Sequence, residues 1–182
     1  MKIFETDRLE VRRIEESDEV YFAELLTNNL ILEKIPVKPA STEVVKDRFK
    51  KAMEIELSDL SMNKCFCGIV EKGDDQVIGL ALFLIDEDDQ QELGYRFRPK
   101  YWGKGYGTEI AKGLLDYYFN ILKVSKVIAG ANKTNEASVK ILSKFMNPTG
   151  EVFNKEQNCT DIRFEVSKND WKDKKITTNH KV

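Results

Sequence analysis

The segment Arg98-Pro99-Lys100-Tyr101-Trp102-Gly103-Lys104-Gly105-Tyr106-Gly107-Thr108-Glu109 constrains this chain more than any other. Ahead of it, Gln91 to Arg98 places Leu93, Tyr95 and Phe97 at a period of two, the pattern of a half-buried strand. Behind it, Ile110, Ala111, Leu114, Leu115 and Tyr118 recur at the helical period and predict a helix from about Gly107 to Leu122. A strand must therefore turn into an amphipathic helix through alternating glycines. Glycine lacks Cβ, so the turn can take positive φ and let a ligand approach the backbone. The first N–H groups of the helix have no internal partner and lie at its positive end. Together these make a seat for a phosphate or pyrophosphate. The plainer reading is a tight turn without a ligand, but three alternating glycines exceed what such a turn needs.

Two other phosphate motifs fail on residues. The dinucleotide fingerprint needs a third glycine after a G-x-G pair. That place is Ile110 counted from Gly105 and Gly107, and Thr108 counted from Gly103 and Gly105. A P-loop needs Ser or Thr after its Gly-Lys pair, yet Gly105 follows Gly103-Lys104, and its leading glycine would fall at Arg98.

The rest of the chain supplies the frame. Leu9 to Ile14 alternates as a strand, and Ser17 or Asp18 can cap a helix carrying Phe22, Leu25 and Leu26. Leu30 to Ala40, with Pro36 and Pro39, reads as a loop, and Ser41 or Thr42 opens a helix to about Ser58. Cys65–Glu71, Gln76–Ile85 and Gln91–Arg98 read as three strands joined by acidic turns, hence antiparallel. Val124 to Ala131 is a strand, Asn135 begins a helix that Asn147-Pro148 ends, and Glu151–Phe153 with Thr160–Val166 form a hairpin. The fold expected is α/β (α+β): a single mixed, mostly antiparallel twisted sheet with helices on both faces. Residues 1–167 form one domain, and 168–182 a polar, frayed tail.

Composition removes several functions. Lys plus Arg is 29 and Asp plus Glu is 31, a net charge of −2, so the chain is not a generic polyanion binder and no nucleic-acid partner is expected. The single histidine, His180, is near the C-terminus, which excludes Ser-His-Asp and Cys-His catalysis and a His-rich zinc site. Cys65, Cys67 and Cys159 are too few and too scattered for a disulfide framework. Met1 to Asp7 is polar and charged, so no secretory segment begins there. No apolar run approaches the roughly 20 residues of a membrane span. A cytoplasmic protein without metal or membrane partner is expected.

With these residues in view, Tyr101 to Glu109 resembles the acyl-CoA pyrophosphate loop of the GNAT acetyltransferase superfamily. Trp102, Glu92-Leu93-Gly94-Tyr95 and the opening Glu5-Thr6-Asp7-Arg8-Leu9-Glu10-Val11-Arg12 are similar to its Rim-type branch, the ribosomal-protein N-terminal acetyltransferases. Asn135-Glu136-Ala137-Ser138 matches that branch's Asn-x-x-Ser, and the likeness runs from about Phe4 to Val166. The resemblance implies acetyl-CoA as co-substrate. Its pantetheine arm would lie in a gap between splayed strands, bonded to backbone around Phe97 and Arg98. The pyrophosphate would sit on Gly103, Lys104, Gly105, Tyr106, Gly107 and Thr108, and Asn135 would contact the pantetheine or thioester end. The chain departs from the family at Leu142, where many members carry a tyrosine that protonates the leaving thiolate. It departs again at Met146 and Asn147, in place of Gly-Phe, and in the basic pair Arg96 and Arg98.

Two catalytic candidates follow. Glu92, on the strand before the loop, is either a general base for the amine or a solvated strand residue. Ser138 either assists the departing thiolate or is a small packing residue. Asn135 is also a good N-cap. Asp86 to Asp89 is a polar turn that could draw in a cationic amine. Cys65 and Cys67 share a strand face and read as core, as does the Tyr117-Tyr118-Phe119 cluster. The function expected is an N-acetyltransferase acting on a peptide or small-molecule amine in a ternary complex, as monomer or homodimer. The rival is a non-catalytic acyl-CoA-binding or regulatory module, which Leu142 favours.

Overall fold

A computed structural model describes residues 1–35, 37–155 and 157–179; His180 and Pro36 fall outside them. The strands are Lys2–Glu5 (β1), Leu9–Arg12 (β2), Cys65–Glu71 (β3), Val77–Ile85 (β4), Gln91–Phe97 (β5), Lys126–Asn132 (β6), Asn147–Asn154 (β7) and Cys159–Ser167 (β8). The helices are Glu19–Thr27 (α1), Asn29–Leu32 (α2), Thr42–Glu54 (α3), Tyr106–Asn120 (α4), Glu136–Phe145 (α5) and Lys168–Asn179 (α6). The strands make one 8-stranded sheet in the order β1-β2-β3-β4-β5-β6-β8-β7. Every neighbouring pair is antiparallel except β5 with β6. The mixed, mostly antiparallel sheet expected from the sequence is the fold observed.

Alternation sorts the side chains to two faces. On one, Phe22 of α1 meets Phe49 of α3 and Phe66 of β3, with ring centroids 5.5 and 6.3 Å apart. On the other, Phe83 of β4 packs on Tyr117 and Tyr118 of α4 at 5.7 and 5.3 Å. Cys65 and Cys67 point to this second face as core residues. Burial lifts the Cys65 thiol to about 11, with Asp59 adding to the rise, and holds Cys67 higher still. Neither is a ready nucleophile at neutral pH.

Several elements differ from expectation. Lys2–Glu5 is a strand, paired with β2 at the sheet edge where polar side chains face water. The segment after Ser167 is helical to Asn179 and docks through Trp171. That ring is buried between Phe119 and Phe145, and its Nε1 donates to Asp116 at 3.0 Å. Asp18 does not cap α1. Its carboxylate takes both Nη groups of Arg12, at 2.7 and 3.0 Å, and the Glu15 N–H at 2.8 Å. Ser41 does cap α3, but that helix ends at Glu54. Asn28 caps the short α2, which takes up the first residues of the loop expected from Leu30 to Ala40.

Candidate functional site

The parallel pair β5–β6 registers only at Glu92 with Ile128, and beyond it the strands part. The Arg98 N–H donates to Ile78 of β4 at 2.9 Å. Strand alternation therefore turns the N–H groups of Tyr95 and Phe97 the other way, toward the gap. On that side the Phe97 carbonyl accepts the Trp102 indole N–H at 2.8 Å, which fixes the start of the glycine loop to the end of β5. A cavity of about 530 Å³ opens here, running from the loop past β5 to α2 and α5.

The glycines divide their work. Gly103 and Gly105 have φ of 76° and 82°. A Cβ at Gly103 would meet open space, and one at Gly105 only the Arg8 Nη2 at 3.4 Å. Gly107 is helical, and a Cβ there would come within 2.8 Å of Ile141 Cδ1, so its smallness lets α4 press on α5. Gly105 heads α4 with no side-chain cap, and the Thr108 and Glu109 N–H groups return to its carbonyl at 3.1 and 3.2 Å. The N–H groups of Tyr106 and Gly107 come too early to have intrahelical partners.

The opening Thr6-Asp7-Arg8 sequence braces this turn. Glu109 accepts from Thr6 Oγ1 at 2.6 Å, from the Arg8 N–H at 2.8 Å and from Arg8 Nε at 2.7 Å. Arg8 Nη1 donates to the Lys104 carbonyl at 3.0 Å, and its guanidinium lies 4.6 Å over the Tyr106 ring. Burial works against the Glu109 charge, but these hydrogen bonds outweigh it and hold the carboxyl below its ordinary range. A fixed cation thus stands beside the unpaired N–H groups.

Of the residues singled out in the sequence, Phe97, Gly103, Gly105, Tyr106, Gly107, Thr108, Asn135 and Ser138 line this cavity. Lys104 does not; its Nζ rests 4.9 Å over the Tyr101 ring. Arg98 turns away. It pairs with Glu24 at 2.8 Å, bonds Gln76 at 3.1 Å and stacks 4.4 Å over Tyr21, tying α1 to the sheet. Asn135 caps α5 through its Oδ1 to the Ser138 N–H at 3.2 Å, while its Nδ2 donates to the Lys34 carbonyl at 3.0 Å. It bridges α5 to the turn after α2. Glu92 sits at the closed end of the gap, outside the cavity wall and 3.7 Å from Arg163. Burial raises its pKa, and Arg163 opposes the rise without cancelling it. Leu142, in the tyrosine position, is buried.

Several cavity residues escaped sequence reasoning as site residues, Tyr95 and Arg96 among them. Tyr95, placed only on the apolar face of β5, has its hydroxyl sealed from solvent and lacking a well-formed hydrogen bond. Burial raises its pKa and the neighbouring Ser138 hydroxyl counters only in part, so at neutral pH it is an O–H donor. Arg96 also lines the cavity. The basic pair gave a signal in the sequence but not which of the two faces inward.

Among the described residues no group of three metal-binding side chains could hold an ion, and no helix is long and apolar enough to cross a membrane.

Residues 8–145 match the acetyltransferase (GNAT) domain family. The chain is 29% identical over 145 residues to the uncharacterized N-acetyltransferase p20 of Bacillus licheniformis, spanning 79% of this chain and 80% of that protein. Its fold is similar to a GNAT-family acetyltransferase of Bacillus anthracis, with a TM-score of 0.77 and 22% identity over 93% of this chain and 99% of the other. It is also similar to the spermidine N-acetyltransferase of Vibrio cholerae in complex with CoA and spermine, at TM-score 0.74 and 18% identity, covering 90% and 97% of the two chains. A strand pair that parts after one register position, a glycine turn of positive φ at a helix start and this family match lead to one conclusion: the chain belongs to the GNAT acetyltransferase family.

Proposed function

We propose that this acetyltransferase moves the acetyl group of acetyl-CoA to a primary amine, on a small molecule or a protein N-terminus, by direct attack in a ternary complex. The observation that carries the reading is that one cavity joins the glycine turn to the part of β5 that runs on beyond its single pairing with β6. Gly103, Gly105, Tyr106, Gly107 and Thr108 would hold the pyrophosphate on N–H groups and a helix start, with Arg8 as a nearby counter-charge. The space left at Gly103 and Gly105 suits phosphate oxygens, so these residues fit the co-substrate. Tyr95 and Phe97 would bond pantetheine amides through their gap-facing N–H groups, extending β5 by a non-protein neighbour.

Bound acetyl-CoA supplies a thioester: the amine nitrogen attacks its carbonyl carbon, the C–S bond breaks, and CoA leaves as a thiolate that takes up a proton. The chain's residues arrange this. Proximity and a strand N–H directed at the thioester oxygen lower the barrier. Glu92, its pKa raised by burial, would receive the amine's surplus proton through water, since it stands outside the cavity wall. Ser138 and the protonated Tyr95 hydroxyl, neighbours in the cavity wall, would supply the proton that Leu142 cannot. The brace of Thr6 and Arg8 on Glu109 supports placement in the Rim-type branch, whose opening motif these residues match.

Thiol release from acetyl-CoA, measured against a mixed amine panel with CoA affinity in parallel, tests the reading. Amine-dependent release is expected. CoA binding without release for any amine would favour the non-catalytic acyl-CoA module, and absence of CoA binding would overturn both.

A further inference from the structure

Arg96 is the charge in this cavity that nothing yet described accounts for. The chain has seven arginines. Arg8, Arg12, Arg13, Arg98 and Arg163 each pair with a carboxylate. Arg96 and Arg48 pair with none among the described residues. One Nη of Arg96 donates to the Leu25 carbonyl at 3.2 Å, and its Nε is shut from solvent with no acceptor. Burial brings its pKa down to about 10, and the added push comes from a second cation, Arg48. It therefore stays charged at neutral pH. An uncompensated guanidinium removed from water is costly unless an anion completes it.

The cavity wall agrees. Lys34, Arg96, Lys140 and Lys144 line it, and no Asp or Glu does among the described lining residues. A polycationic acceptor would meet repulsion here, with no carboxylate to hold its second charge. Arg96 projects from β5 to the α1 side, where Leu25, Ile31 and Lys34 lie, on the opposite strand face from Tyr95 and Phe97. That places its charge beside the α2 end of the cavity and away from the glycine turn that would seat the pyrophosphate.

We propose that the acceptor is an amine that also carries a carboxylate, an amino-acid-like molecule, and that Arg96 binds this carboxylate while the amine faces the β5–β6 gap. The proposal rests on the acetyltransferase reading above and adds the acceptor's chemical class. A carboxylate matches the planar guanidinium fork. Arg96 is thus a specificity residue and takes no proton in the reaction.

The test measures thiol release with matched pairs that differ only in the carboxylate: phenylalanine and phenethylamine, leucine and isoamylamine, lysine and cadaverine. CoA affinity is measured by calorimetry on the same samples. The wild type is expected to favour the carboxylate member by about tenfold or more in kcat/KM. Arg96→Met should raise its KM for that member by roughly 10- to 100-fold, the value of a hydrogen-bonded charge, with kcat and CoA affinity little changed. Arg96→Lys, which keeps the charge without the fork, should retain part of the preference and guards against a folding loss in the first variant. Equal or better turnover of the decarboxylated members overturns the proposal, as does turnover of neither class by CoA-binding protein. Loss of CoA affinity in Arg96→Met would instead assign Arg96 to the co-substrate. A wild type that fails to bind CoA would refute the acetyltransferase reading itself.

Discussion

Gly105→Asp separates the anion seat from the fold. Gly105 has φ of 82°, so a side chain there incurs a left-handed backbone cost of roughly 1 kcal/mol, smaller for Asp than for most residues. Its Cβ would meet only Arg8 Nη2, at 3.4 Å, so no steric clash adds to this. In a domain of this size that loss lowers Tm by about 2–4 °C and leaves the protein folded. The electrostatic effect is larger. A carboxylate about 5 Å from a unit phosphate charge, at an effective dielectric of about 20, repels it by about 3 kcal/mol, or over a hundredfold in Kd. The same carboxylate would draw in the Arg8 guanidinium and remove a counter-charge from the ligand. Calorimetry of CoA binding with thermal melts measures both effects, and part of the lost affinity should return at high salt, where the repulsion is screened. Gly73→Asp is the control. Gly73 has φ of 85° and open space at its Cβ, but it lies on the β3–β4 turn outside the cavity. It should show the same Tm loss with unchanged Kd. A folded Gly105→Asp protein whose CoA Kd stays within about threefold of wild type would refute the seat, given the repulsion expected.

Two further variants, Glu92→Gln and Trp171→Ala, give three expected outcomes. Glu92→Gln should lower kcat by about 10²–10⁴-fold with CoA affinity unchanged, the loss shrinking at high pH where the amine is already neutral; a kcat within about threefold of wild type, against that range, rules Glu92 out as base. The Glu92 pKa is raised in the fold, so wild-type stability is greatest below the unfolded carboxyl's pKa and falls as pH climbs through the folded one. The Tm of Glu92→Gln relative to wild type should therefore rise across that window, and a flat difference would contradict the burial. Trp171→Ala removes a ring buried against Phe119 and Phe145 and should cost about 3–5 kcal/mol, lowering Tm by roughly 10 °C. A drop under about 2 °C would mean that α6 does not hold onto the sheet.

Strong periodicity made the central strands legible. Cys65–Glu71 is the span read from sequence, and β4 and β5 differ from it by one residue. The glycine turn was legible because three glycines between a strand and an amphipathic helix have few uses. Gly107 shows the limit: its spacing places it in the turn, and it does line the cavity, but the spacing carries no sign of its second use, a Cβ space already taken by Ile141 where α4 meets α5. β1 was not legible because it is only four residues long with a charge at each end, and α6 because it is mostly polar and docks through Trp171. The difference between Arg96 and Arg98 lies in the partner. Glu24 reaches Arg98 from 74 residues away, and a sequence pattern of local period carries no such pairing.

The parted strands also give this sheet more margins than its order suggests. An ordinary open sheet ends at two edges, here β1 and β7, but the β5–β6 gap adds two internal ones. Edge strands with unpaired N–H groups will accept another extended chain, which is how sheets recruit partners and how they aggregate. Helix cover from α4 and α5 keeps a neighbouring protein from these inner edges while leaving a slot that a slender amide-bearing chain can enter. A ligand in that slot completes the sheet, so it would protect the chain from misassociation by the same bonds that hold it for chemistry.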